Sequence, residues 1–345
     1  MNTREEHKKM RPSVDKLKAL GLNLPIFPTT SVGSFPKPDY IKKARAKREK
    51  GEISAKDLLQ LEERATREWI EFQEKIGVDV LVDGEMYRGD MVAYFAEELK
   101  GFSGGSFVRS YGNRYYRKPV ITGQVVWEKP MTVEWWKKAQ GMTKKPMKGM
   151  LTGPYTIMDW CFNEYYKDRE ATCMALAQVI RKEVEALIDA GAKIIQVDEP
   201  ACSVRPSELP LVIKSMNVVT QGLAAYFVTH ICYGDFGKIY PEMTEIPVEN
   251  FDLEMSNSEN NLLDCFRSRS FPKDLTAGIV DVHNHELESQ EVLGTRLRQI
   301  LEVVPAEQLW IDPDCGLKTR TVEEAKQKLE ATVRAAQALR KSYSN

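Results

Sequence analysis

Short apolar runs alternate along this chain with longer amphipathic stretches. Two of these stretches, KDREATCMALAQVIRKEVEALIDAG and TVEEAKQKLEATVRAAQALRKS, place apolar residues three and four positions apart among charged ones, which predicts helices. The first stretch ends on Gly191, a helix stop directly before the apolar run AKIIQVD. The pattern predicts eight strands, at about 25–33, 78–83, 148–153, 193–198, 226–232, 250–255, 277–283 and 308–312.

Strands separated by helices pair in parallel, so eight such units predict an α/β fold, a single closed (β/α)8 TIM barrel. Two segments fall outside this alternation. Residues 1–24 are predicted to be an N-terminal helical extension of a barrel domain that covers 25–345. Residues 101–147 are predicted to be a hairpin-like insert near one barrel mouth. Its aromatic residues Trp127, Trp135 and Trp136 fit a lid, a partner surface or core packing, and the oligomeric state stays open.

Composition narrows the class of protein. The 345 residues are 42% hydrophobic, and 49 basic residues nearly balance 50 acidic ones, giving a formal net charge of −1. This balance does not favour nucleic acid or an anionic membrane as a partner. The apolar runs have the length of strands, and the charged N-terminus does not resemble a secretory signal. Six dispersed cysteines do not suggest a disulfide framework, so we expect a cytoplasmic protein.

Four potential metal ligands follow predicted strands. His230 and Cys232 lie two residues apart in FVTHICYGDF, so their side chains point the same way in a strand. Glu254 ends the apolar run in FDLEMS, and Cys315 follows the last strand in LWIDPDCGLKTR. Each alone would more often be structural, but together they supply the imidazole, two thiols and carboxylate of a tetrahedral zinc site at one barrel face.

A second set of residues suits an amino-acid ligand. Val32, Gly33 and Ser34 follow the first strand, where backbone groups and a hydroxyl can hold a carboxylate, although the same residues also form ordinary turns. Glu85 and Asp198 end the second and fourth strands, where a carboxylate can pair with an α-ammonium group. A solitary acid at a strand end is more commonly a helix N-cap, so both interpretations stay open.

Seven motifs, in order along the chain, carry a resemblance to a known family. They are TTSVGSFPKP, VDGEMYRGDMVAYF, MLTGPYTIMDW, IIQVDEPA, THICYGDF, LEMSNSENNLLDCF and IDPDCGLKTR. From about residue 25 to 335 the chain resembles the C-terminal catalytic barrel of cobalamin-independent methionine synthase. The resemblance implies a zinc-dependent methyltransferase that converts L-homocysteine to L-methionine, with Zn²⁺ and homocysteine bound by the two sets of residues described above.

The resemblance implies roles for three further residues, His283, Arg114 and Trp160. His283 aligns with the proton donor of the family, and a histidine with a pKa near neutrality suits proton transfer, although a buried structural histidine is the alternative. If the strand predicted at 277–283 continues, Asp281 and His285 share its face with His283. Arg114 and Trp160 match positions that contact the folate methyl donor.

Other positions depart from the family pattern. The full-length family has an additional N-terminal barrel that helps to hold a polyglutamylated methyl-folate, whereas about 24 residues precede the barrel here. Tyr115 replaces a cysteine, and Val204 replaces a glutamate that binds the pterin ring. Asn284 and His285 replace a Ser-Pro pair. These departures favour the short single-barrel form, with methylcobalamin or a methylated corrinoid protein as the predicted methyl donor.

Three alternatives remain. The first keeps homocysteine as acceptor and uses methyl-tetrahydrofolate as donor. The second keeps the zinc chemistry but alkylates another thiol, such as coenzyme M. Glu85 and Asp198 favour homocysteine, because a thiol that carries a sulfonate would require a basic cluster. The third is a zinc- or corrinoid-binding protein without activity.

Overall fold

A computed structural model describes residues 12–109, 115–232, 234–256 and 262–343 of the chain. The strands within these residues are β1 Lys100–Ser103, β2 Phe107–Arg109, β3 Tyr115–Arg117, β4 Val120–Val126, β5 Lys148–Thr152, β6 Phe162–Asn163, β7 Ile194–Asp198, β8 Tyr226–Ile231, β9 Asn250–Glu254, β10 Asp274–Gly278 and β11 Leu309–Asp312. The α-helices are α1 Pro12–Ala19, α2 Asp39–Glu49, α3 Ala55–Ile76, α4 Ala93–Glu98, α5 Val133–Gln140, α6 Pro154–Asp159, α7 Arg169–Asp189, α8 Leu209–Thr220, α9 Leu262–Ser268, α10 Gln290–Leu301 and α11 Val322–Tyr343.

Six parallel strands form the main sheet in the order β5, β7, β8, β9, β10, β11. Every residue of β5, β8, β9, β10 and β11 is buried, as expected for parallel strands that are covered on both faces. Parallel bridges between Thr29 and Ile311 and between Leu81 and Met147 connect the two edges of this sheet to the first two predicted strand segments. A third bridge, between Ser34 and Gly84, joins those segments to each other. The sheet therefore closes into the predicted eight-membered barrel.

One predicted strand is displaced. The run predicted as a strand at 277–283 contains β10 only up to Gly278, and residues 279–289 follow as a loop. A Cβ atom on Gly278 would lie 2.5 Å from the Cα atom of Asp314, so the neighbouring chain crosses this position closely. The prediction that Asp281 and His285 share a strand face with His283 was therefore wrong.

The N-terminal helix α1 covers the end of the barrel where the strands begin. Leu17 packs in a cluster with residues at the beginning of several strands, among them Tyr226 and Trp310. The amine of Lys16 pairs with Glu249 at 2.7 Å, and the Ser13 hydroxyl donates to Asp274 at 2.9 Å. This end is closed, so the opposite end carries the accessible barrel mouth.

The insert is an antiparallel arrangement with a helix behind it. Strand β1 pairs with β4, β2 pairs with β3, and the short β6 adds to β4 in parallel. Trp136 on α5 is buried and donates to the carbonyl oxygen of Met147 at 3.1 Å, while Trp135 stacks on Tyr87 with ring centroids 4.5 Å apart. These contacts are those of core packing, which was one of the three roles considered for the insert's aromatic residues.

A buried carboxylate attaches the insert to helix α7. Glu183 accepts hydrogen bonds from the indole nitrogen of Trp127 at 2.7 Å, from the backbone nitrogens of Met131 and Thr132 at 2.8 and 2.7 Å, and from the Thr132 hydroxyl at 2.8 Å. Helix α7 begins at the N-cap Asp168, whose carboxylate accepts from the Ala171 backbone nitrogen. One side chain of this helix therefore accepts four hydrogen bonds from the insert.

We expect Glu183→Gln to lower the free energy of unfolding by about 3 kcal/mol, because an amide cannot accept all four hydrogen bonds and leaves buried donors unsatisfied. Urea denaturation followed by circular dichroism would measure the change. Glu185→Gln on the same helix is the control, since Glu185 is a partly exposed partner of Arg181 and should change stability by less than about 1 kcal/mol. Equal effects of the two substitutions would contradict the assigned role of Glu183.

Candidate active site

The potential metal ligands lie at the end of the barrel where the strands terminate. His230 is near the end of β8, Cys232 follows that strand, and Cys315 follows β11. One ligand atom from each of these three side chains lies within 4.8 Å of the other two. Ligand atoms in tetrahedral zinc sites with Zn–N and Zn–S bonds are about 3.5–3.8 Å apart. The three side chains therefore need only small movements to bind one ion.

The orientation of His230 fits a metal ligand. Its Nδ1 atom lies 2.9 Å from the Oδ1 atom of Asp252 on the neighbouring strand. Its Nε2 atom is buried and has no hydrogen-bond partner of normal geometry within the described part of the chain. A carboxylate that fixes one imidazole nitrogen while the other binds the ion is the usual outer-shell arrangement at zinc. A buried nitrogen without a partner is otherwise costly, so this observation supports the fit of a metal ion.

The two thiols differ in acidity. A hydrogen bond from Cys232, together with the nearby imidazole of His230, lowers the pKa of the Cys315 thiol well below its usual range. The same interaction raises the pKa of Cys232, because its proton is held between the two sulfur atoms. Binding a divalent zinc ion requires both sulfurs as thiolates, and a cation would displace the shared proton.

Glu254 lies beside this group of three and faces His283. Glu254 ends β9 and is buried, and its Oε1 atom is 3.6 Å from the Nε2 atom of His283. In the register of β8 and β9, His230 lies opposite Asp252 and Ile231 lies opposite Leu253. One residue further along, Glu254 lies opposite Cys232. Its carboxylate is not one of the three groups within 4.8 Å of one another, so its role as fourth ligand stays a prediction.

The loop that carries His283 is held by charged residues that sequence reasoning missed. The amine of Lys328 on α11 is buried and donates to the Asp281 carbonyl oxygen at 2.7 Å. The Glu288 carboxylate accepts from the Asp281 backbone nitrogen at 2.7 Å and from the Arg296 guanidinium at 3.0 Å. Lys328 is 47 residues from Asp281 in sequence, and no pattern in the chain indicates that they meet. They give a loop residue, His283, a defined position.

Neighbouring residues of the same loop do not join His283 in the site. The carboxylate of Asp281 accepts from the His283 backbone nitrogen at 2.7 Å, and therefore stabilises the loop itself. The side chain of His285 is exposed, and its Nδ1 atom lies 2.7 Å from Glu324. Of the three residues predicted to share a face, His283 alone approaches Glu254 in the described structure.

The candidate amino-acid site lies beside Cys315. A Cβ atom on Gly316 would lie 2.1 Å from the Ser34 hydroxyl oxygen, so this hydroxyl packs against the backbone next to Cys315. A Cβ atom on Gly33, whose φ is +156°, would lie 2.7 Å from the sulfur of Met150 and 3.1 Å from the Oε1 atom of Glu85. Only glycine at this position keeps the space beside Glu85 free, and Val32 before it is buried.

Two cations that sequence reasoning missed flank Glu85. The buried guanidinium of Arg88 donates to the Oε1 atom of Glu85 at 3.0 Å. The amine of Lys37 donates to the Glu85 carbonyl oxygen at 3.2 Å, and burial lowers the pKa of this amine to about 8. Arg88 lies in the quoted motif VDGEMYRGDMVAYF and Lys37 in TTSVGSFPKP, but nothing in the sequence shows that they meet.

Burial dominates the environment of the Asp198 carboxyl group. Burial raises the pKa of its carboxyl group to about 7, while the nearby His230 opposes this rise. Its Oδ1 atom accepts a hydrogen bond from the Gln196 amide at 2.8 Å. The adjacent Glu199 differs, because its carboxylate accepts from the backbone nitrogens of Tyr155 and Thr156 and so anchors the start of α6. Asp198 is therefore the acid of the pair that a cationic ligand can reach.

The predicted contacts to the methyl donor are only partly described. Arg114 lies outside the described residues. Trp160 follows α6 and is half-buried against the core. Val204 follows a short 3-10 turn at Pro200–Ser203 and is 57% exposed, so its side chain does not close a pocket.

None of the helices within the described ranges is both long enough and apolar enough to cross a lipid bilayer.

Comparison with known proteins decides the family. The sequence model described as "Cobalamin-independent synthase, Catalytic domain" matches residues 27–338. The chain belongs to this family. The match confirms the predicted family.

Relatives with known names support the same assignment. The chain is 40% identical over 342 residues to the 5-methyltetrahydropteroyltriglutamate–homocysteine methyltransferase of Flavobacterium johnsoniae, covering 96% of this chain and 44% of that protein. It is 37% identical over 318 residues to a protein of Saccharolobus solfataricus named methionine synthase, covering 92% of this chain and 96% of that one. The chain thus spans less than half the length of the first relative and nearly all of the second.

A solved structure supports the barrel. The B12-independent methionine synthase of Shewanella sp. W3-18-1, in complex with selenomethionine, superposes with a TM-score of 0.83 at 26% identity. The superposition covers 93% of this chain and 99% of that one. It confirms the predicted barrel fold.

These comparisons correct the predicted methyl donor. The prediction of methylcobalamin as donor, and of a corrinoid or corrinoid protein as partner, was wrong, because the family is cobalamin-independent and the Flavobacterium relative is named for a methyltetrahydropteroyl donor. The inference had relied on the lack of a second barrel in this sequence and on Val204, which replaces a glutamate. Val204 lies on an exposed turn, where the loss of one polar contact removes only part of a ligand's binding energy.

Proposed function

We propose that this protein transfers a methyl group from a 5-methyltetrahydropteroyl-glutamate donor to the thiol of L-homocysteine, giving L-methionine, in a zinc-dependent reaction. The observation that carries the proposal is the convergence of His230, Cys232 and Cys315 directly beside the Ser34 hydroxyl. A thiol-activating site and an amino-acid site are then close enough to hold the two ends of one small molecule. The donor follows the name of the Flavobacterium relative.

Zn²⁺ would be held by His230, Cys232, Cys315 and Glu254, and it would supply the means to keep a substrate thiol deprotonated at neutral pH. Two thiolates, one carboxylate and a neutral imidazole around Zn²⁺ leave a formal charge of about −1, which keeps sulfur nucleophilic. Asp252 holds the imidazole of His230 in the orientation that this role requires.

The residues of the amino-acid site would bind the other end of homocysteine. Glu85 and Asp198 supply negative charge for the α-ammonium group, and the segment Val32–Gly33–Ser34 supplies backbone groups and a hydroxyl. The Shewanella relative has been solved with selenomethionine, an analogue of the product of homocysteine methylation. An amino-acid site in this barrel agrees with that ligand.

His283 would supply the proton that the reaction requires. When the homocysteine thiolate attacks the methyl carbon, the bond from that carbon to the donor nitrogen breaks, and its electron pair stays on the nitrogen. A neutral leaving amine then requires a proton, which the imidazole of His283 can donate from Nε2. This Nε2 atom lies 3.6 Å from the Oε1 atom of Glu254, which places the imidazole beside the proposed metal ligands.

The test is a metal-reconstitution assay. The protein is stripped with a chelator, reloaded with one equivalent of Zn²⁺, and incubated with homocysteine and 5-methyltetrahydropteroyl-triglutamate. We expect methionine, measured by mass spectrometry, only in the reloaded sample. Equal methionine formation by stripped and reloaded protein would contradict zinc dependence, and no methionine in either sample would contradict the proposed reaction.

We expect His283→Asn to lower kcat by about 100- to 10,000-fold, because a positioned acid contributes this much to proton transfer. Zinc content and the KM for homocysteine should change little, since His283 holds neither in this scheme. His285→Asn is the control, because His285 is exposed and pairs with Glu324. A normal kcat in the His283 variant would exclude it as the proton donor.

A further inference from the structure

Gln196 occupies a central position between the two halves of the site. It lies in the middle of β7, two residues before Asp198, and is completely buried. Its Nε2 atom donates to the Val32 carbonyl oxygen at 2.8 Å and to the Oδ1 atom of Asp198 at 2.8 Å. Its Oε1 atom accepts from the amine of Lys148 on β5 at 2.5 Å. One amide therefore connects β7 with the neighbouring strand β5 and with the first strand segment of the barrel.

The orientation of this amide follows from its partners. A carboxamide has one acceptor oxygen and two N–H donors, whereas a lysine ammonium can only donate. A flipped Gln196 amide would direct its NH₂ group at Lys148 and its oxygen at two other oxygens, so every contact would be repulsive. Lys148 therefore fixes the amide with both donors towards Val32 and Asp198.

The two groups held by Gln196 are both acceptors. The Val32 carbonyl oxygen has a second lone pair, and Gln196 engages only the Oδ1 atom of the Asp198 carboxylate. A ligand that lies between a carbonyl oxygen and a carboxylate must bring hydrogen-bond donors, and the carboxylate favours a cation. The α-ammonium group of an amino acid has these properties.

Lys148 is itself buried on β5, so its hydrogen bond to Gln196 is shielded from solvent.

We propose that Gln196 and Lys148 are positioning residues that set the distance between the Val32 carbonyl and the Asp198 carboxylate for the homocysteine ammonium group. Lys148 acts on that group through Gln196, to which it donates at 2.5 Å. This inference rests on the proposed function, because it takes homocysteine as the ligand of Val32 and Asp198.

The test uses Gln196→Met and Lys148→Met, which keep an unbranched side chain of similar length. Homocysteine binding to the zinc-loaded protein is measured by calorimetry, and zinc affinity by competition with a chelator. We expect Gln196→Met to weaken homocysteine binding by about 10- to 100-fold while zinc affinity stays within about threefold of wild type. Lys148→Met should weaken homocysteine binding similarly, again with zinc affinity within about threefold of wild type. The double variant should bind homocysteine about as weakly as Gln196→Met alone.

Gln73→Met is the matched control for burial. Gln73 is also completely buried, but among the described residues its amide bonds only to the backbone of Trp69 and Val82. We expect this variant to lose stability yet bind homocysteine within about twofold of wild type. A weakening as large as that in Gln196→Met would show that any buried amide matters equally, and would overturn the inference.

The remaining outcomes separate this inference from the proposed function. Wild-type protein that binds and methylates homocysteine, with unchanged affinity in Gln196→Met, would overturn the inference alone. Wild-type protein that binds homocysteine without methylating it, and loses binding in Gln196→Met, would support the inference and contradict the proposed reaction. Absence of homocysteine binding by the wild-type protein would overturn both.

Discussion

Cys315→Ser is expected to reduce bound zinc to well below one equivalent and methionine formation to less than about 1% of wild type. Cys315 is the thiol with the lowered pKa, and its sulfur lies within 4.8 Å of the ligand atoms of both His230 and Cys232. A serine hydroxyl stays protonated at neutral pH and is a poor zinc ligand. Loss of an outer-shell partner alone costs about 10- to 100-fold in metal affinity or activity, so loss of a direct ligand should cost more.

Metal content by mass spectrometry and steady-state rates measure this effect. Cys173→Ala is the control, because Cys173 is a buried thiol on helix α7 that is not one of the three grouped ligands. It should retain one zinc and most of its activity, although removing buried side-chain atoms should lower stability. Full zinc and full activity in Cys315→Ser would show that the assigned ligand set is wrong.

Asp198→Asn is expected to raise the KM for homocysteine by about 100-fold or more. Removing one partner of a desolvated charge pair weakens binding by about 2–5 kcal/mol, and an asparagine at this position can no longer attract the ammonium group. The hydrogen bond from Gln196 can persist to the asparagine oxygen, so the local structure should be retained. Zinc content should not change.

The dependence on pH provides a second measure of Asp198. Burial raises the pKa of its carboxyl group to about 7, and only the ionised form attracts an ammonium group. The KM of the wild-type protein for homocysteine should therefore rise about tenfold as the pH falls from about 8 to about 6. Subtracting the profile of Asp198→Asn removes contributions from the thiols and from His283. Two parallel profiles would contradict the role of Asp198.

Asp168→Asn is the matched control for this substitution. Asp168 is the exposed N-cap of α7, and asparagine caps a helix about as well as aspartate. The KM and its dependence on pH should remain those of the wild-type protein. A rise in KM in this variant would indicate an effect of net charge and not of the site.

Periodicity was sufficient to predict most of the barrel. Strands β5, β7, β8, β9 and β11 begin and end within about two residues of the predicted segments, because buried parallel strands give short continuous apolar runs. The strand near residue 277 was misplaced, since the apolar run AGIVDV continues beyond Gly278 into a loop that is also buried. Burial in a loop and burial in a strand leave the same hydrophobic pattern.

The candidate site was predictable where it lies on strand ends and unpredictable where it depends on long-range pairing. His230, Cys232 and Cys315 could be named because residues at the ends of parallel strands meet at one face of a barrel. Gln196, Lys148 and Asp252 were missed, because glutamine, lysine and aspartate inside strands give no sign of their partners. Those partners lie on different strands, and contact between them is a property of the closed barrel.

The identity of the methyl donor could not be predicted from a single substitution. Val204 and the lack of a second barrel suggested a corrinoid donor, which the comparisons contradict. A substitution at an exposed turn such as Val204 changes one contact among many. It is weak evidence for a change of substrate class, because a few buried groups commonly provide most of the binding energy.

Transfer of a labelled methyl group is the most direct test of the proposed methylation of homocysteine. The zinc-loaded protein is incubated with L-homocysteine and 5-methyltetrahydropteroyl-triglutamate that carries a trideuterated methyl group. Mass spectrometry then follows the label. We expect trideuterated methionine in a one-to-one ratio with the demethylated donor, and none when homocysteine or zinc is omitted. Unlabelled homocysteine and intact donor after prolonged incubation, in a sample that contains one zinc per chain, would contradict it.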